Sequence, residues 1–158
     1  MATIAILGTL DTKGEEHAFV ADLIRERGHT PLLIDAGTQG EPTVKPDVSR
    51  DQLIGGQTFT DRGEAMAAMT KAAAKICTKL VAKKKIDGIV SLGGGGGTAI
   101  GTAAMRALPV GFPKLMVSTL AASESAPVYM GVKDVTMMPS IVDVAGLNRI
   151  SREIFTNA

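Results

Sequence analysis

The sequence predicts an α/β fold in which a mostly parallel sheet of five strands is doubly wound, with helices on both faces. Apolar segments of strand length recur along the 158 residues, and several are uninterrupted, as in strands covered on both faces. Helical stretches separate them, which is typical of βαβ units with right-handed crossovers. A chain of this length fits one domain. We therefore expect residues 1–158 to form a single three-layer sandwich of the Rossmann or flavodoxin-like kind.

The predicted strands are short and apolar. They cover Thr3 to Leu7, Thr30 to Ile34, Gly88 to Leu92, Lys114 to Ser118 and Val135 to Met138. Among the helices, Asp61 to Lys84 is the clearest, because apolar residues recur along it at alternating spacings of three and four. That stripe, formed by Met66, Met69, Ala73, Ile76 and Leu80, is expected to face the sheet. Lysines at every fourth position form another face, which we interpret as solvated surface.

Helix boundaries are predicted from capping patterns. Thr12 with Glu15, and Asp61 with Glu64, match the capping box at the start of a helix. Gly28 is expected to end the first helix. Another helix is predicted over Thr98 to Leu108, with Thr98 as its N-cap. The one long connection, Gly37 to Gly56, is rich in glycine and polar residues and is expected to hold a short helix near Ser49 to Leu53.

Composition excludes several classes of protein. Lysine and arginine total 17 against 16 acidic residues, and the chain has no tryptophan and one tyrosine, which argues against nucleic-acid binding. The lone Cys77 has no metal-spaced partners, so neither a disulfide nor a zinc site is predicted, and no metal ligands are assigned. No apolar run is long enough for a membrane span, and none resembles a signal peptide. We expect a cytoplasmic protein.

Five consecutive glycines, Gly93 to Gly97, follow a buried strand and precede a helix. Without Cβ atoms such a loop can adopt positive φ and let a ligand approach its amides, next to the unpaired N–H groups of the helix. The run therefore predicts a phosphate site, although not which nucleotide. Neither the P-loop pattern nor the dinucleotide fingerprint after the first strand is present.

Other loops at the carboxyl ends of the strands are also polar, and ligands bind at this edge of a doubly wound sheet. Arg62 stands in the first turn of its helix, where a cation is unfavourable unless an anion lies close. Asp35 is interpreted either as a ribose ligand or as a simple strand end. His17 and His29 are expected at the surface. No nucleophile–base pair is recognisable, so no catalytic residue is assigned and enzymatic activity is left open.

Ordered motifs across these loops resemble a known family. They are Asp11-Thr12-Lys13 with Glu15-Glu16, Asp35 to Gly40, Asp61-Arg62-Gly63, Leu92 to Thr98, Leu108 to Gly111, Lys114 to Thr119 and Asp143 to Asn148. Together they look like the amino-terminal domain of the tomato mosaic virus resistance protein and its bacterial and fungal relatives. The resemblance implies a Rossmann-like subdomain that binds ATP and helps to form a homodimer, and relatives carry a second Rossmann-like subdomain. Two departures are Gly95, where the family usually has serine, and Leu120 to Ser123.

The resemblance implies nucleotide contacts at Asp11, Thr12, Lys13, Thr38, Arg62, Gly94, Gly95, Gly96 and Gly97, to which the helix start adds Thr98. The leading hypothesis is an ATP-binding domain, with or without Mg²⁺, in which Asp11 holds the metal or orients Lys13. A second is a subunit of an enzyme acting on a phosphorylated metabolite or using NAD, with catalytic groups from a partner domain. A third is an interaction or dimerisation module with a vestigial site.

Overall fold

A computed structural model describes all residues from Met1 to Ala158 and contains one five-stranded sheet. Its elements are β1 (Thr3–Gly8), α1 (Leu10–Glu26), β2 (Thr30–Asp35), α2 (Arg50–Ile54), α3 (Arg62–Ala82), β3 (Gly88–Gly93), α4 (Gly95–Ala107), β4 (Lys114–Ser118), α5 (Ala126–Met130), β5 (Thr136–Pro139) and α6 (Arg149–Asn157). None of the helices is both long and apolar enough to cross a bilayer.

The sheet has the order β2-β1-β3-β4-β5 and every pairing is parallel. This confirms the predicted α/β class and all five strands, and the order is that of flavodoxin-like folds. The strand order reverses between β1 and β3: from β1 the chain continues to β2 on one side, and from β3 it continues to β4 on the other. The connections after β1 and β3 therefore run in opposite directions and leave a crevice between them at the carboxyl edge of the sheet.

Two cores cover the sheet, one on each face. Alternate residues of β1 divide between them: Ala5 and Leu7 face α3 and α4, whereas Ile6 faces α1 and α6. The apolar stripe of α3 packs on the first face as predicted, with Met69 and Ala73 fully buried. Every residue of β3 is buried, which accounts for its uninterrupted apolar sequence.

Several helix boundaries differ from the capping predictions. Asp61 caps α3 by accepting a hydrogen bond from the Glu64 amide, as predicted. The Thr12 prediction was wrong, because α1 starts at Leu10 with Thr9 at its N-cap. Helix α4 likewise begins at Gly95, so Thr98 is not a cap. The short helix α2 forms with a capping box from Ser49 and Gln52. Helices α5 and α6 were not predicted.

Candidate functional site

A cleft of about 260 Å³ opens at the carboxyl ends of β1, β2 and β3. Its lining comprises Thr9, Asp11, Thr12, Lys13, Thr38, Gln39, Arg62, Met66 and Gly93 to Gly97. The structure thus brings together every predicted site residue except Thr98. Thr9, Gln39 and Met66 were not predicted. Gln39 follows Thr38 in the chain, Thr9 lies two residues before Asp11, and Met66 reaches the cleft from the end of the α3 stripe.

The glycine segment is mainly the first turn of a helix and not a free loop. Gly94 is the N-cap of α4, and Gly95 to Gly97 form its first turn without any capping side chain. The expectation of positive φ was wrong, since none of these five glycines has it. The backbone N–H groups of Gly94 to Gly97 donate to no acceptor within the protein. Four amide donors therefore lie free beside the cleft, at the positive end of the helix dipole.

Lack of a Cβ atom matters differently along this segment. A Cβ on Gly93 would lie 2.8 Å from the Gly97 Cα atom, so only glycine allows β3 to turn this tightly into α4. A Cβ on Gly95 would meet nothing within 4 Å. Gly93 is therefore required by the turn, whereas the side-chain space at Gly95 is open, with room for the serine that the family usually carries.

Thr98 does not face the cleft. It is fully buried, and its hydroxyl lies 2.6 Å from the Ser118 Oγ atom at the end of β4. The predicted phosphate contact by this hydroxyl was wrong, because the helix starts one turn earlier and places Thr98 against the sheet. Ser118 in turn accepts a hydrogen bond from the Leu120 amide, so the two hydroxyls connect α4 to the loop after β4.

Two cations line the cleft without a partner. Neither the Lys13 ammonium nor the Arg62 guanidinium makes a hydrogen bond or an ion pair within the protein. Arg62 is the first residue of α3, where the helix dipole disfavours it, as the sequence suggested. The positive charges and the free amides of α4 together favour an anion.

Helix α1 is broken at Lys13, which has non-helical φ and ψ of −131° and 26°. The break is caused by Thr43, a residue of the connection after β2 that packs against the helix. Its amide and its hydroxyl both donate to the Leu10 carbonyl, at 2.9 and 3.1 Å. A Cβ on Gly14 would lie 2.0 Å from the Thr43 hydroxyl. Gly14 therefore makes room for the Thr43 side chain. The break in α1 lies at Lys13, a residue that lines the cleft.

His17 lies beneath this break and is completely buried, so its predicted surface position was wrong. Its Nδ1 atom is 2.6 Å from the Lys13 carbonyl oxygen, whereas its Nε2 atom is buried with no hydrogen-bond partner. Burial lowers the pKa of His17, an effect larger than the opposing influence of the Lys13 carbonyl and Glu16. The ring is therefore neutral, with Nδ1 as the donor.

Asp11 has a structural role that the sequence did not predict. Its Oδ2 atom accepts hydrogen bonds from the Gln39 and Gly40 amides, at 2.8 and 3.1 Å. These bonds join the segment after β1 to the loop after β2. It makes no ion pair with Lys13, against one of the two roles expected for it. Its Oδ1 atom is shut off from solvent and has no partner.

Asp35 is buried at the end of β2, and its Oδ1 atom accepts hydrogen bonds from the Leu10 and Gly37 amides. Burial raises the pKa of Asp35, although these two amides oppose the shift. Because the carboxylate is enclosed and bonded to the backbone, it fits the structural interpretation of this residue and not that of a ribose ligand. It holds the loops after β1 and β2 together.

The residues of the cleft do not form a magnesium site by themselves. No group of three or more metal-ligating side chains occurs in the structure. Asp11 is the one carboxylate of the cleft, and its only unpartnered oxygen is enclosed. Mg²⁺ keeps most of its waters and is commonly held through substrate phosphates.

A second cavity of about 240 Å³ adjoins the cleft through Thr38. Ile54, Phe59 and Met69 supply apolar wall, and Arg50, Gln57 and Thr58 supply polar groups. The largest cavity, of about 550 Å³, lies elsewhere, between α1, α6 and the amino-terminal part of the sheet. Its lining is mostly apolar, and its one buried cation, Lys114, is already paired, so it lacks the unsatisfied groups of the cleft.

The fold and the cleft define a class: a Rossmann-like α/β domain whose sheet has flavodoxin-like order. Residues 2–158 match the N-terminal domain of an uncharacterised protein family, UPF0261. The chain belongs to this family, which confirms the resemblance found in its motifs.

Similar proteins from bacteria and a plant support membership of this family. A UPF0261 protein of Clostridium tetani is 47% identical over 163 residues, covering 98% of this chain and 40% of the relative. One from Rhizobium meliloti is 47% identical over 166 residues, covering 100% and 40%. The ToMV resistance protein Tm-1(GCR237) of Solanum lycopersicum is 30% identical over 175 residues, covering 96% and 23%. The chain thus spans about 40% of the length of these bacterial relatives.

Proposed function

We propose that this domain binds ATP, with the polyphosphate in the cleft between α1, α3 and α4. One observation carries the proposal: two unpaired cations and four unpaired backbone amides surround one cleft of phosphate-binding size. The free amides at the start of α4 and the two unpaired cations lie around one volume, and the helix dipole and the cation charges both favour an anion there. A triphosphate supplies the charge and the acceptor oxygens that would satisfy them.

Each group has a definite part in this proposal. The amides of Gly94 to Gly97 donate to phosphate oxygens at the start of α4. Lys13 and Arg62 neutralise the phosphate charge from α1 and α3. The exposed hydroxyl of Thr12, which now contacts Thr9, and the half-buried hydroxyl of Thr38, which now contacts the Met66 sulfur, would turn to the phosphates as neutral donors. Mg²⁺, where it takes part, arrives bound to the phosphates.

The nucleoside belongs in the second cavity. Each cavity alone is smaller than the roughly 300–1,000 Å³ typical of small-molecule sites, whereas the two together fall within that range. Thr38 lines both, so the proposed ligand would extend from one to the other beside this residue. The apolar walls from Ile54, Phe59 and Met69 suit a base, and the polar residues around the opening suit its edge and the ribose.

The proposal concerns this domain. The activity and partners of the longer family members, including a homodimer or a second Rossmann-like subdomain, stay predictions, as does a cytoplasmic location. The tomato relatives include both a resistance protein and a ToMV susceptible protein, tm-1(GCR26), at 30% and 29% identity. Sequence identity to these two proteins is therefore no ground for assigning an antiviral role to this chain.

Calorimetric titration of ATP tests the proposal. We expect wild-type protein to bind, and the double variant Lys13→Ala, Arg62→Ala to lose about a hundredfold in affinity, since it lacks two charge-assisted contacts. The control Lys71→Ala, Lys75→Ala removes the same charge from the exposed stripe of α3 and should change affinity less than about twofold. Absence of binding at millimolar ATP, or equal losses in both variants, would contradict it. Parallel titrations with NAD and sugar phosphates test the enzyme hypothesis.

A further inference from the structure

We propose that His17 is a positioning residue for Lys13: its buried ring holds the break in α1 that presents the Lys13 ammonium to the cleft. The inference rests on the proposed function only in taking a phosphate as the ligand; the geometry of the break in α1 does not depend on that ligand. The residues that carry it are His17, Lys13 and Gly8, and only Lys13 lines the cleft.

Backbone carbonyls on both sides of the break accept hydrogen bonds from groups outside the regular helical ladder. Thr43 binds the Leu10 carbonyl on one side of the break, and His17 Nδ1 binds the Lys13 carbonyl on the other, at 2.6 Å. A helix with non-helical φ and ψ at one residue returns to regular geometry unless other contacts hold it out. The imidazole supplies such a contact one turn below the break, inside the core.

An imidazole at this position is otherwise unfavourable. The ring has no exposed surface and its Nε2 atom lacks a partner, so the protein bears the cost of an unpaired buried acceptor. A phenylalanine or leucine would fill the space without that cost. The Lys13 carbonyl is the only hydrogen-bond partner at normal distance, and the Leu7 carbonyl is a weaker influence on the ring, so the bond to Lys13 is the main polar contact that a histidine supplies here.

The backbone of β1 is shaped to accept the ring. A Cβ on Gly8 would lie 1.9 Å from His17 Nε2, so any other residue at position 8 would displace the imidazole. Gly8 and Gly14 therefore serve the same feature: one makes room for His17 and the other for Thr43. Packing around the break therefore accounts for both glycines.

Two amide side chains of different length test the inference. Asparagine can place an N–H near the position of Nδ1, whereas glutamine reaches towards the position of Nε2. We expect His17→Asn to retain affinity for inorganic triphosphate within about threefold, and His17→Gln and His17→Phe to lose about tenfold, the worth of one charge-assisted contact. All are measured by calorimetry on protein whose fold is checked by circular dichroism.

A double-mutant cycle shows whether His17 acts through Lys13. In a Lys13→Ala background, His17→Phe should cause no further loss of triphosphate affinity. A further tenfold loss there, or glutamine retaining affinity better than asparagine, overturns the inference. If His17→Phe does not fold, the asparagine and glutamine variants still decide.

The proposed function can fail separately. If wild-type protein binds no triphosphate, the ATP proposal is wrong, and the positioning claim is then judged by NMR. It predicts an Nδ1–H tautomer for His17 and large shifts of the Lys13 and Gly14 amides in His17→Gln but not in His17→Asn. An Nε2–H tautomer, or equal shifts in both variants, overturns it.

Discussion

Two lysines at opposite ends of the sheet have opposite surroundings. Lys114, the first residue of β4, is buried, and its ammonium donates to the Pro109 and Phe112 carbonyls and to Asp134, all within 2.9 Å. Lys13, beyond the carboxyl end of β1, has no protein acceptor. The amino end of the sheet therefore uses its cation to join two loops, whereas the carboxyl end leaves its donors free. Unpaired donors, and not charge itself, distinguish the candidate site.

The largest effect is expected from breaking the paired lysine. Lys114→Met removes the buried ammonium that donates to the Pro109 and Phe112 carbonyls and to Asp134. Loss of the two charge-assisted bonds to the carbonyls should lower the free energy of unfolding by about 3 kcal/mol, measured by urea denaturation. The control Lys133→Met alters an exposed neighbour and should have little effect. Triphosphate affinity should survive Lys114→Met at a temperature where the protein is folded. An unchanged stability would contradict the comparison.

Acid should remove the part of this stabilisation that Asp134 supplies. The hydrogen bond from Lys114 and that from the Gly111 amide lower the pKa of Asp134 below its ordinary value. A carboxyl group with a lowered folded-state pKa stabilises the protein above its unfolded pKa, of about 4, and loses that contribution as the pH falls through the folded value. The stability difference between wild type and Lys114→Met should therefore shrink below about pH 4. A constant difference down to pH 2 would show that the ion pair does not contribute to it.

A smaller effect should separate two neighbouring glycines. Gly93→Ala places a methyl group against the Gly97 backbone and should cost about 2 kcal/mol of stability, since neither backbone can give way easily. Gly95→Ala enters open space and should change stability by less than about 0.5 kcal/mol. Thermal unfolding of the two variants measures this directly. Similar losses in both would mean that the turn from β3 to α4 is looser than described.

Sequence periodicity was enough to predict the strands and the α3 stripe, because buried parallel strands and amphipathic helices are set by local patterns. Capping rules were less reliable at Thr12 and Thr98. In both cases the helix starts about one turn earlier, through Thr9 or Gly94, neither of which donates or accepts a side-chain capping bond. A capping pattern records where a helix can start, and tertiary contacts decide which start is used.

The sequence was enough to predict which residues meet in the cleft and not which contacts they make. The loops that follow parallel strands must meet at one edge, so Lys13 and the glycines could be grouped from sequence, whereas Arg62 was added by the family resemblance and by its place at a helix start. The role of Asp11 depends on amides of the second loop, and the burial of His17 depends on the missing Cβ of Gly8. Those are contacts between segments, and no local pattern in the chain encodes them.

The most direct test of the central claim follows the free amides themselves. Inorganic triphosphate is titrated into ¹⁵N-labelled protein, and the amide resonances of Gly94 to Gly97 are compared with those around Lys114 and Asp134. The claim predicts saturable shifts of the four glycine amides, with the Lys114 end unchanged. Glycine amides that do not shift at millimolar triphosphate, or shifts of equal size at both ends of the sheet, would contradict it.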